Sequence, residues 1–261
     1  MKKGMRIMLC FAALAGTVVL MVLLGKGSDI ARARATCTEV EIAILDSARL
    51  SFVTKSDVKA VADKELGVFK GKALDSINLK KIENAVKRTS AVMGCEAYMT
   101  DDGILHLDVT QREPAVRFKT PTGGYYADER GFIFPLHPTY TSDATVIEGD
   151  IPLNIPEGFK GEPASREEAA WLGDILGFVR SISSGRTWKG AFSKISVDKD
   201  GELVLYPVKG KERFLFGGPA DYEAKLARME RYYTEIAPTK EEGWYKSVNV
   251  KYDNQIICKT K

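Results

Sequence analysis

The residues in this sequence that could do chemistry are few and scattered. There are two histidines, His106 and His137, and four cysteines, Cys10, Cys37, Cys95 and Cys258. Zinc needs four such ligands, usually supplied as closely spaced pairs, and these residues show no such spacing. His106 lies in Leu105-His106-Leu107-Asp108-Val109, so it points away from the Leu/Val face. With no Cys, His or paired acid beside it, it reads as a surface strand residue. His137, between Leu136 and Pro138, reads as a loop residue. Glu148-Gly149-Asp150 offers two carboxylates of the kind a hydrolase uses, but a glycine between acids is better explained by a surface turn. Gly217-Gly218 precedes a helix, yet Gly-x-Gly-x-x-Gly is absent and no P-loop lysine and hydroxyl follow, so a turn is expected. The expectation is a chain with no catalytic residue, no metal site and no cofactor.

Composition narrows the partners. The chain has 261 residues, with 38 Lys+Arg against 35 Asp+Glu for a net charge of +3. These charges are interspersed, without the basic stripe and stacking aromatics that mark a nucleic-acid groove. In an oxidising compartment Cys37 and Cys95 could pair, which leaves Cys258 over; buried small hydrophobes are the other reading.

The residues Ile7 to Leu24 form an apolar or small-residue run broken only by Thr17. A helix of that length approaches the roughly 30 Å hydrocarbon thickness and exceeds a secretory h-region. A retained single transmembrane helix over residues 7–24 is therefore expected, after a cytoplasmic tail at 1–6 and before a linker at 25–36. Flanking charge does not orient it, since Lys2, Lys3 and Arg6 are matched by Lys26, Arg32 and Arg34. A tail too short to fold, and a long body without cytosolic-enzyme motifs, place the body outside in a type II topology.

The elements that follow read as α+β. Glu39 to Ile44 alternates as a strand; Ser56 caps a helix with Val58, Val61, Ala62 and Leu66 on one stripe, stopped by Gly67. Asn78 caps a second helix carrying Leu79, Ile82, Ala85 and Val86. A hairpin turns at Asp101-Asp102-Gly103, giving β-α-α-β-β over residues 37–118. A second domain, 123–261, is expected to be mostly antiparallel β with flanking helices. Its hairpins turn at Asp128 to Gly131 and at Asp198 to Gly201, and Ser165-Arg166-Glu167-Glu168 forms a capping box before the stripe Leu172, Ile175, Leu176, Val179 and Ile182. Pro219 opens a last helix, which carries Leu226, Met229, Tyr233 and Ile236 and ends at Pro238. Strands Val248 to Tyr252 and Gln255 to Lys259 flank Asp253-Asn254, and one of them should be a sheet edge, either guarded by Lys259 and Lys261 or open to a partner strand.

Several of these stretches, in order, resemble the FtsQ/DivIB family of bacterial cell-division proteins. They are a short tail and one span, and a POTRA-like unit closing in Val109-Thr110-Gln111-Arg112-Glu113-Pro114-Ala115-Val116. Then come Tyr125-Tyr126-Ala127-Asp128-Glu129-Arg130-Gly131, Gly149-Asp150-Ile151-Pro152, Phe216-Gly217-Gly218 and Val248-Asn249-Val250-Lys251-Tyr252. Departures are Asp46-Ser47, where a glycine is expected, and the missing proline around Ala91-Val92-Met93. The resemblance implies a non-enzymatic divisome scaffold in the cytoplasmic membrane. Its extracytoplasmic body would recruit and link FtsB-like and FtsL-like bitopic proteins, and other divisome components, at the septum. It implies a partner site at Lys251, Tyr252, Asp253, Asn254 and Ile256, with no nucleic acid and no small-molecule substrate. The competing readings are a POTRA-containing export or assembly factor, which would need a barrel's strands, and a cell-wall hydrolase.

Overall fold

The computed structural model describes residues 14, 16–21, 36–67, 69–120 and 123–260. Most of the expected span at 7–24, the tail at 1–6, Cys10 and nearly all of the linker at 25–36 lie outside these residues. Among the described residues no helix is long and apolar enough to cross a membrane. The chain forms two compact units, residues 1–111 and 112–261.

In the first unit, β1 (Glu39–Ile44), α1 (Lys55–Leu66), α2 (Leu79–Lys87), β2 (Val92–Met99) and β3 (Ile104–Gln111) follow the expected order, with a short 3-10 turn, Leu74–Ser76, between the helices. The sheet order is β1-β3-β2, β3 being parallel to β1 and antiparallel to β2. Alternation along β3 sends Leu105, Leu107 and Val109 into the core, where all three are fully buried, each stabilising by roughly 2 kcal/mol. The stripe of α2 joins them through Ile82, Ala85 and Val86. Asn78 caps α2 by accepting from the Lys81 amide at 2.9 Å. The cap of α1 is Thr54 in place of the expected Ser56. Thr54 Oγ1 accepts from the Asp57 amide and Asp57 Oδ2 accepts from the Thr54 amide, a reciprocal box that Ser56 lies too far inside the helix to make. Gln111 fastens the loop after β1: its Nε2 donates to Asp46 Oδ1 and the Leu50 carbonyl, and its Oε1 accepts from the Val53 amide.

The second unit is a nine-stranded sheet in the order β12-β11-β10-β9-β8-β7-β4-β5-β6. Its strands are β4 (Pro114–Thr120), β5 (Gly123–Asp128), β6 (Ile133–Pro135), β7 (Thr145–Gly149), β8 (Phe192–Val197), β9 (Leu203–Pro207), β10 (Arg213–Gly217), β11 (Tyr245–Asn249) and β12 (Ile257–Thr260). The expected first-domain end at Phe118 is corrected: Val116 and Phe118 lie on β4, fully buried, and pair with β5 and β7. Antiparallel pairs predominate, but β4–β7, β7–β8 and β10–β11 are parallel. Parallel neighbours require a crossover, and two of these crossovers contain α3 (Arg166–Ser184) and α4 (Tyr222–Arg231).

The stripe of α3 is buried as expected, and Phe178 and, in part, Trp171 widen it as the sequence also suggests. Its capping box is only half formed: Ser165 Oγ accepts from the Glu168 amide, while Glu168 Oε1 accepts from the Asn154 amide instead of returning to the cap. The helix expected to open at Pro219 opens at Tyr222. Asp221 sits before it at φ 52 without a side-chain cap bond, and Lys225 Nζ donates to the Gly218 and Ala220 carbonyls, holding the approach. The stripe then runs on through a π turn, Tyr232–Ile236, and Pro238 falls in a 3-10 turn, Ala237–Thr239.

Candidate docking edge

The C-terminal end of the large sheet begins with β10, an interior strand whose Phe214 and Phe216 are fully buried. β11 lies parallel to it, with Phe214 opposite Val248. β12 lies antiparallel to β11, with Val248 opposite Cys258 and Asn249 opposite Ile257. Among the described residues no strand pairs with the far side of β12. That side carries unpaired backbone donors and acceptors, the chemistry that accepts an added strand. The strand is short and mostly exposed; Ile257 keeps 47% of its surface in solvent. The strands are displaced from the expected limits, β11 starting and ending three residues earlier and β12 starting two later and ending one later, so Val250 to Ile256 form the connection between them.

This connection is held at its root from three sides. The Val250 amide donates to the Leu215 carbonyl, and Arg228 Nε donates to the Val250 carbonyl at 2.8 Å. Lys251 Nζ lies 3.1 Å from both oxygens of Glu202 and 5.1 Å above the Tyr252 ring. The Glu202 carboxylate bonded to it raises the Lys251 ammonium above its ordinary pKa. Gly217, at φ 79, lies so close to Lys251 that a Cβ would fall 2.7 Å from the lysine's own Cβ. The turn closes on Asn254 at φ 59, a conformation asparagine tolerates.

Of the expected partner residues, Lys251, Tyr252, Asp253 and Asn254 thus share one turn, with Tyr252 46% exposed. Asp253 is almost wholly in solvent and is reached by Arg228 Nη1 at 3.3 Å. Ile256 differs, because it packs in part against the core. The reading missed the residues that set this turn, namely Glu202, Gly217 and Arg228. Gly217 carried a signal, as a glycine closing a strand; the other two carried none.

The groups considered for chemistry sit elsewhere. His106 is not the isolated surface residue expected: its Nδ1 lies 3.3 Å from Glu41 Oε2, and its ring stacks on Tyr98 at 4.8 Å. Glu41 is on β1, paired across the sheet from β3, so chain adjacency could not reveal it. Glu148 and Gly149 are the last two residues of β7 instead of a surface turn; Glu148 meets Lys194 at 2.6 Å, which holds its carboxyl below the ordinary range. His137 bonds locally to Thr139. Cys37 and Cys95 are buried and unbridged. Among the described residues no three His, Cys, Asp or Glu side chains are placed to hold a metal ion.

The arrangement is modular: a β-α-α-β-β unit is followed by a mixed nine-stranded sheet that ends in β12 on one side and β6 on the other. Residues 35–110 match the POTRA-like domain, and residues 113–259 match the domain described as FtsQ/DivIB, C-terminal related. No curated protein matches the chain. The chain belongs to the FtsQ/DivIB family, whose domains are non-catalytic scaffold domains of cell division.

Proposed function

We propose that this protein is a division scaffold anchored in the cytoplasmic membrane by residues 7–24, with its body in the periplasm or cell exterior at the division site. It recruits FtsB-like and FtsL-like bitopic proteins through its C-terminal edge. The observation that carries the docking reading is the unpaired side of β12, with the exposed turn Lys251 to Asn254 at its start. A partner strand laid along β12 would complete its backbone bonds, while Tyr252 and Ile257 would supply apolar contact at the rim.

The test uses the full chain co-expressed with its FtsB-like partner. Tyr252→Ala and Ile257→Asp change exposed side chains, so each should alter folding stability by no more than about 0.5 kcal/mol. Both should nonetheless reduce partner recovery strongly. Unchanged recovery with both variants, and with a chain ending before Gln255 that stays folded, would refute docking at this edge.

A further inference from the structure

A second feature of the large sheet lies beside the opposite end of β11, where Glu212, just before β10, is only 6% exposed. Glu212 Oε2 accepts from the Lys211 amide at 2.9 Å. Among the described residues no lysine, arginine or histidine pairs with it. The turn over the carboxylate depends on Gly210, at φ 103, where a Cβ would lie 2.6 Å from Glu212 Oε2. A buried carboxylate without a counter-cation is costly, and such groups are normally paired or neutralised.

This carboxylate lines a cavity of about 300 Å³ whose other walls include four aromatic residues, Tyr232, Tyr233, Trp244 and Tyr245, beside the charged Lys209, Lys240, Glu241 and Glu242. Tyr232 meets Tyr233 at 5.3 Å and Tyr245 at 6.3 Å, edge to face, with interplanar angles of 68° and 67°. Ring faces carry negative potential and attract ammonium groups. Lys240 stands 5.6 Å over the Trp244 ring, and no ion pair joins it to Glu212. Burial first, and the neighbouring Glu212 second, push the Tyr232 and Tyr233 phenols above their ordinary pKa, which keeps them neutral donors.

We infer that this cavity is an aromatic cage for an alkylammonium group, with Glu212 as its counter-charge and Tyr232, Tyr233, Trp244 and Tyr245 as its walls. An anion would face Glu212, Glu241 and Glu242 against only Lys209 and Lys240. A neutral apolar guest would leave Glu212 uncompensated. An ammonium satisfies both the carboxylate and the rings. The group could belong to a free small amine or to a lysine side chain presented by another polypeptide, and the chemistry is shared.

The experiment uses the full chain in a maltoside detergent, which carries no ammonium of its own. Tetramethylammonium chloride, n-butylammonium chloride and N-acetyl-lysine methylamide are titrated at matched ionic strength against sodium chloride. Trp244 fluorescence, isolated by comparison with Trp244→Phe, and tyrosine-ring NMR shifts report occupancy. Saturable changes with one or more of the amines, and none with sodium, are expected. Response to the free amines identifies a small-amine cage, and response to the lysine derivative alone identifies a peptide-borne source. Glu212→Gln should weaken binding by about tenfold or more, as losing a desolvated charge partner does, while the melting temperature holds or rises. A Glu212 with a purely structural role would instead lower that temperature and leave any binding unchanged. Absence of a saturable response to all three amines, or unchanged affinity in Glu212→Gln, overturns the cage.

Discussion

Arg112 donates from Nη1 to Asp128 Oδ2 at 2.7 Å, joining the first residue of the second unit to the end of β5. The Arg112 guanidinium also lies 3.5 Å from the centre of the Phe132 ring, and Asp128 Oδ1 accepts from the Arg130 and Phe132 amides. Two stretches that carried the family resemblance, Gln111-Arg112-Glu113-Pro114 and Asp128-Glu129-Arg130-Gly131, are therefore two halves of one contact. Both side chains are largely buried, at 14% and 7% exposure.

Removing either partner strands the other, so Asp128→Ala should cost about 3–5 kcal/mol. It also deletes the acceptor for two turn amides. Arg112→Met should cost less, because Asp128 keeps both amide donors and the methionine still covers Phe132. Urea unfolding followed by tryptophan fluorescence checks the order; an Arg112→Met cost equal to or above that of Asp128→Ala would contradict it.

Gly217→Ala addresses the root of the proposed docking turn. Its φ of 79 is unfavourable for alanine, and the new Cβ would press on the Lys251 Cβ. A loss of about 1–3 kcal/mol is expected, the range for a non-glycine residue held in such a conformation. Because the displaced segment is Lys251 itself, partner recovery should fall further than in a variant of equal stability made elsewhere, such as Ile182→Val in α3. Equal recovery in the two would separate stability from docking.

What was legible in the sequence was local. Alternation located β3 and β8, and caps and glycines placed the start of α2, the start of α3 and the stop of α1 at Gly67. Strand direction was not legible, because a period of two is the same in parallel and antiparallel strands, and the parallel pairs β4–β7 and β7–β8 followed only from their crossovers. Thr54 and Ser56 are both competent hydroxyls, and only Asp57's reach back to the Thr54 amide decides between them. At the candidate site the turn itself could be read from Asp253-Asn254. Glu202, which binds Lys251, lies 49 positions away, and such a pairing leaves no trace in spacing.

The cysteines give a prediction about reactivity. Burial pushes the Cys95 thiol up to about 11, so almost none of it is thiolate at neutral pH. Cys37 is buried as well, whereas Cys258, on the edge strand, is only partly buried, although burial raises its thiol too. Maleimide labelling of the folded full chain, mapped by peptide mass, should therefore modify Cys258 well before Cys37 and Cys95, and denaturant should equalise the three. Rapid labelling of Cys95 without denaturant would show that its surroundings open.

Acid should weaken the first unit through Glu83 on α2. Its carboxylate is bonded by Lys80 at 3.1 Å and accepts from the Ala97 amide of β2, and these contacts, Lys80 first, lower its pKa. The native state then holds the ionised form more strongly than the unfolded chain does. The resulting stability is complete above the unfolded pKa, about 4.3, and disappears as pH falls through the lower native value. Glu83→Gln should therefore be less stable than the parent at neutral pH by about 0.5 kcal/mol, the scale of a solvent-screened pair. It should converge with the parent as both are acidified, and urea midpoints for the two proteins from about pH 7 down to pH 3 read the convergence directly. A difference that stayed constant across that range would assign the effect of Glu83→Gln to packing instead of charge.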